Sequence, residues 1–228
     1  MAGLGPQGRI GRAAALAAAA VAIAVTISPG PAAAGAWTAG GWNFSDERGG
    51  FRILSVTGAG TVRDPIVIVE EITALGPAVL VIRDRRDRRS SADGRPAPDH
   101  LAASMIKIVF NRTGETWTGF ELELREVEDQ ASPYQDGLSF DQMRAFNLPV
   151  SSNVFAGARH VDEPADLVRF WGGQVRHGGS VRFNFPITDP TVKAEFYLLQ
   201  QPRVLIADRG PGRPVTVAAR AAAEPADP

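Results

Sequence analysis

The chain has 228 residues, 44% of them hydrophobic and 21% charged, and a formal net charge of -1. That is enough apolar material for one domain with its own core, and too little positive charge for a face that binds nucleic acid or anionic lipid. With no cysteine, disulfides, thiol nucleophiles, Cys-ligated zinc, iron–sulfur clusters and a lipidated-cysteine anchor are excluded.

Residues 1–36 read as a cleavable Sec-type signal peptide. Arg9 and Arg12 give a positive start with no acid nearby, and residues 13–27 form a weakly apolar run rich in Ala and Val. Ser28, Pro29, Gly30 and Pro31 break that run. Ala34-Gly35-Ala36 then meets the small-x-small cleavage rule and would leave Trp37 first; Ala32-Ala33-Ala34 is the competing site. The run is shorter than the roughly 20 residues a spanning helix needs, so no stable membrane insertion is expected after cleavage. Losing Arg9 and Arg12 takes the basic count from 24 to 22 against 25 acids, a net charge of -3. The expected location is periplasmic or extracellular.

Beyond the leader, residues 37–207 carry strand patterning. Runs at 51–56, 66–72, 78–82, 105–110, 120–124, 181–185, 193–199 and 203–206 are β-branched or alternate with period two. In 120–124, Phe120, Leu122 and Leu124 share one face and Glu121 and Glu123 the other, the mark of a strand with one wet side. In 105–110 the apolar face is expected to carry Ile106, Ile108 and Phe110. Residues 66–72 and 78–82 are more continuously apolar, as in central strands buried on both sides. Turn residues punctuate these runs, among them Gly58-Ala59-Gly60, Gly76-Pro77, Asp136-Gly137 and Gly178-Gly179. Short strands at this spacing predict an all-β fold, an antiparallel β-sandwich of immunoglobulin-like or jelly-roll type. Only 99–104 and 140–146 suggest a helical turn. Residues 208–228, rich in Gly, Pro, Ala and Arg, read as a disordered tail.

Residues 83–100 read as a long polar loop, in which Arg85 and Arg86 are candidates to grip a phosphate, a sulfate or a carboxylated glycan. The three histidines, His100, His160 and His177, lie too far apart in sequence for a metal pair. His160 does precede Asp162, Glu163 and Asp166, a local imidazole–carboxylate group and a candidate polar site, without the glycine-containing pattern of a calcium loop. No G-x-S-x-G elbow is present, and no catalytic residue is assigned. Glu121 and Glu123 stand roughly 7 Å apart on one strand face, within the range of an inverting glycosidase pair. That alternation is also the ordinary pattern of a solvated face. Of the four tryptophans, Trp117 closes the core, Trp37 and Trp42 cap the glycine-rich start, and Trp171 lies beside Gly172-Gly173 in an expected rim loop. Trp171 is therefore the candidate for stacking on a sugar.

The stretch from Asn111-Arg112-Thr113-Gly114 through Trp117 to Phe120-Glu121-Leu122-Glu123-Leu124 resembles a pattern in exported bacterial β-sandwich proteins of the PEP-CTERM kind. The later Asp136-Gly137-Leu138-Ser139-Phe140 and the run from Phe196 to Pro202 fit it as well. The sorting tail of that group is missing, so the resemblance implies a fold and an exported life without surface anchoring, and no activity.

Together these features predict an exported, non-catalytic interaction module with no cofactor and no metal, whose partner is a protein or a glycan. The alternatives are a carbohydrate-binding protein and a hydrolase with a dispersed carboxylate site. A shallow aromatic shelf would favour the sugar binder, and a deep pocket with converging carboxylates the hydrolase.

Overall fold

In the computed structural model, which describes residues 36–85, 101–141, 144–191 and 193–205, strands carry nearly all the regular structure. In chain order they are β1 (Ala36–Ala39), β2 (Trp42–Ser45), β3 (Phe51–Thr57), β4 (Ile66–Ile72), β5 (Ala78–Asp84), β6 (Leu101–Asn111), β7 (Trp117–Arg125), β8 (Ser151–Ser152), β9 (Gly157–Val161), β10 (Leu167–Val175), β11 (Ser180–Asp189) and β12 (Glu195–Val204). A seven-stranded sheet has the order β1-β2-β5-β12-β7-β10-β9, and a five-stranded sheet the order β3-β4-β6-β11-β8. Their inner faces share one apolar core, making an all-β sandwich. Every pairing is antiparallel except that of β4 with β6, which is parallel. The cause is the path of the chain: after β4 it crosses to the other sheet for β5 and returns at β6, two reversals that restore the original direction.

The alternation in β7 is realised as its sequence predicts. Phe120, Leu122 and Leu124 are fully buried, and Glu121 and Glu123 lie on the outer face. Beneath them, Phe183 of β11 holds the two sheets together through three ring contacts. Its centroid lies 4.8 Å from Phe120, 4.7 Å from Phe170 and 6.1 Å from Phe155. Trp117, completely buried, packs on Phe120 at 5.6 Å. Such a cluster of interlocked rings makes a stiff floor under β7 and β10.

Strand β6 reverses the sequence expectation. Its inward residues are Leu101, Ala103, Met105, Lys107, Val109 and Asn111, whereas Ile106, Ile108 and Phe110 are half-buried on the outer face. The inversion is possible because Lys107 does not stand alone inside. Its Nζ donates a 2.6 Å hydrogen bond to Glu70 Oε2 of β4, and both side chains are 0% exposed. Asn111 is likewise satisfied, donating to the carbonyls of Glu115 and Val175 at 2.7 and 2.8 Å. Burial pushes the Glu70 carboxyl up and the Lys107 amine down, each toward its neutral form, while the partner's charge opposes the shift. Gln200 of β12, also buried, favours the charged carboxylate, but both its amide atoms lack a hydrogen-bond partner of good geometry.

Other expectations need correction. Residues 101–104 belong to β6 rather than to a helix. Residues 140–146 contain no helix among those described, and the one helical turn among the described residues is the earlier 3-10 segment Tyr134–Asp136. The two runs at 193–199 and 203–206 are one strand, β12. Pro202 falls where pairing with β5 has ended, so one side of the strand needs no N–H there. Strand β4 is not buried on both sides but alternates, with Glu71 and its valines half-exposed, whereas β5 buries Leu80, Val81 and Ile82 in succession, so both of its faces are covered there. Arg83 and Asp84 extend β5 instead of opening a loop. Arg86, His100 and the tail assigned to 208–228 lie outside the described residues. So does the leader assigned to 1–36, except Ala36, which opens β1.

Candidate functional site

Trp171 belongs to β10 and not to a rim loop. It faces outward on the seven-stranded sheet and is 49% exposed. Its cross-strand neighbours are Gly157 in β9 and Gly119 in β7. No side chain therefore stands beside the indole in its own row, and the ring lies across the Gly157 backbone. A Cβ on Gly157 would fall inside the ring's van der Waals envelope, 2.6 Å from Nε1. Directly after Trp171, the register with β7 shifts, and Val175 pairs with Trp117. Gly172 has φ 75°, open to glycine, and a Cβ on Gly173 would press on the Val154 carbonyl carbon at 2.9 Å. The glycine pair thus builds a bulge against the 153–156 segment and sets the aim of the tryptophan.

The shelf is a shallow groove of about 360 Å³ bordered by Thr118, Gly119, Glu121, Arg169, Trp171 and Arg203. Glu121 ties its two arginines together. Oε1 accepts from Arg169 Nε at 2.8 Å, and Oε2 accepts from Arg203 Nη2. With both oxygens taken up by guanidinium donors, Glu121 is a scaffold for cations and not a free acid or base. Glu123 is similarly engaged by Arg125 Nε at 2.6 Å. The paired carboxylates seen in the sequence thus face outward together, each committed to an arginine.

The remaining candidates do not gather here. In β9, His160 pairs with Val168, whereas Gly157 pairs with Trp171. The odd spacing puts His160 on the inner side of the sheet and Trp171 on the outer side. His160 lines a second cleft of about 430 Å³ at the sheet edge, with Tyr134, Phe140, Asp141, Arg144 and Asp162 among its walls. Packing against Phe140, whose ring centroid is 5.8 Å away, shields one side of the imidazole. That burial lowers its pKa, opposed by the charges of Asp162 and Asp141. Asp166 is fully buried, and among the described residues neither carboxylate oxygen has a hydrogen-bond partner of good geometry. Burial, with Asp162 and Asp136 nearby, pushes its pKa up to about 7, which the Phe140 backbone amide offsets only in part.

Glu163 is exposed beside these residues and outside the cleft lining. Arg85 is exposed at the end of β5, where its N–H donates to the Gly41 carbonyl at 2.9 Å. Strands β12 and β7 separate it from β10. Among the described residues, no group of three or more His, Cys, Asp or Glu side chains is arranged to hold a metal ion.

Compared with known proteins, the chain matches no family model, no curated protein and no solved structure. The chemistry of the two recesses is therefore the guide to function. One is an open aromatic shelf on a rigid sheet face. The other is an edge cleft lined by a histidine, two aspartates and a tyrosine. Sequence reasoning found Trp171 and His160 but missed Arg159, Arg169 and Arg203. Counting alternate positions along 157–161 and 167–171 was the signal that would have placed Arg159 and Arg169 on the tryptophan's face; Arg203 reaches it only through the pairing of β12 with β7, opposite Gly119.

Proposed function

We propose that the chain is an exported, non-catalytic binding module that takes a carbohydrate on the Trp171 shelf. The observation that carries this reading is the indole itself: a large apolar face, half-exposed, with glycine on either side and a packed aromatic floor beneath its strand. A flat, sterically open indole suits the apolar face of a pyranose ring, and the neighbouring Arg169, Arg203 and Thr118 supply hydrogen-bond donors for hydroxyls. Holding such a surface open costs solvation, and rigid support lowers the entropy lost on binding. Export rests on the leader-like residues 1–36 and on the resemblance to exported sandwich proteins. The absence of free, converging carboxylates on the shelf favours binding over hydrolysis.

The test is a screen of plant and bacterial oligosaccharides by intrinsic tryptophan fluorescence, repeated with Trp171→Ala. Binding by the unaltered chain, lost in Trp171→Ala while the fold is kept, is the expected result. Equal binding by the variant, or release of shortened sugars during the assay, would overturn the reading.

A further inference from the structure

We infer that the shelf selects an acidic polysaccharide, one bearing carboxylates along its length. This rests on the reading of Trp171 as a sugar platform. The new observation is a pairing of like charges. Arg159 of β9 and Arg169 of β10 stand directly opposite each other on the outer face, in the row next to Gly157 and Trp171. Like charges in opposed positions destabilise a sheet, and β9 is an edge strand where any polar residue would serve.

The balance of charge around the tryptophan is positive. Glu121 is the one carboxylate engaged there, and it is shared between Arg169 and Arg203. Arg159 has no ion-pair or hydrogen-bond partner among the described residues, leaving three guanidiniums to one carboxylate on a chain whose net charge is -1. Arg169 contributes only Nε to Glu121, so its Nη1 and Nη2 remain for another acceptor. A guanidinium held by one edge and open at the other is pre-arranged to take a planar carboxylate in a fork. Outward rows of a strand are roughly 7 Å apart. A sugar ring stacked on Trp171 would thus bring a carboxylate on itself or on the next residue to the arginine pair. A neutral sugar would leave those two arginines facing each other unrelieved.

Affinity for oligouronates of galacturonic, glucuronic and mannuronic type, each paired with its methyl ester, separates this inference from the reading beneath it. The ester keeps the ring and removes the charge. The expected result is at least one free acid bound about tenfold or more tighter than its ester at low salt, with the gap closing as salt rises. Arg159→Ser should narrow that gap and leave ester binding unchanged, Arg169→Ser should narrow it while weakening the ester as well, and Trp171→Ala should abolish binding of acid and ester alike. Equal affinity for acid and ester, both lost in Trp171→Ala, would overturn the acidic ligand and leave the sugar platform standing. No binding to any acid would overturn the inference, and acid binding indifferent to Trp171→Ala would overturn the platform reading as well.

Discussion

Lys107 and Glu70 meet at 2.6 Å on neighbouring parallel strands, with no part of either side chain reaching solvent. Removing one partner strands the other's charge in an apolar core. Lys107→Met should therefore cost about 3–5 kcal/mol, while Lys107→Met combined with Glu70→Leu should come back to within about 1 kcal/mol of the parent or exceed it. Urea denaturation of the single and double variants measures both. A mild single variant would mean that the core tolerates a lone carboxyl and that the pair does little to fix β4 against β6.

On β7 the two faces should respond differently. Leu122→Ala removes buried atoms and leaves a cavity, for about 2–5 kcal/mol. Glu121→Ala breaks cross-strand ion pairs whose arginines are solvent-exposed, and should cost about 1 kcal/mol or less. Glu123→Ala should cost about 0.5 kcal/mol. The same denaturation experiment ranks them, and a reversed order would contradict the register.

Strand β7 was legible in the sequence because its wet face is charged and its dry face is not. Strand β6 was not, because it is apolar on both faces and the polar residue that looked outward, Lys107, is neutralised by a glutamate on another strand. Periodicity reports which residues share a face; it does not report which face is covered when a buried ion pair intervenes. Trp171 could be singled out as a candidate contact surface from its glycine neighbours, but Gly157, which lets the ring lie flat, is fourteen positions away and only strand pairing brings it close. His160 and Asp162, adjacent in the sequence pattern, line one cleft. Their separation from Trp171 follows from an odd offset in β9, invisible until β9 and β10 are paired.

Asp166 should make stability depend on pH. Its folded pKa, about 7, lies above the ordinary 3.8, so between those values the native state holds a proton that the unfolded chain has released. Stability contributed by this group is then greatest below about pH 4 and falls as pH rises to about 7, by up to roughly 4 kcal/mol. Asp166→Asn, which cannot ionise, should match the parent near pH 4 and exceed it at pH 8. Denaturation midpoints at the two pH values check this, and a parent as stable as the variant at pH 8 would contradict it.

Gly157 and Gly173 should separate shape from stability. Gly157→Ala displaces a side-chain ring, at about 1 kcal/mol for an off-rotamer shift, and should spoil the shelf for ligand. Gly173→Ala meets the Val154 backbone, which cannot move aside, and should cost about 2 kcal/mol or more. Thermal melts together with the emission of Trp171 distinguish the two.

The most direct test is to map the bound ligand. Titrating the isotopically labelled chain with an oligouronate and following backbone amide resonances should move Gly119, Gly157, Arg159, Arg169 and Trp171 together, on the outer face of the seven-stranded sheet. Shifts confined to Tyr134, Phe140, His160 and Asp162 would place the ligand in the edge cleft instead and contradict the account.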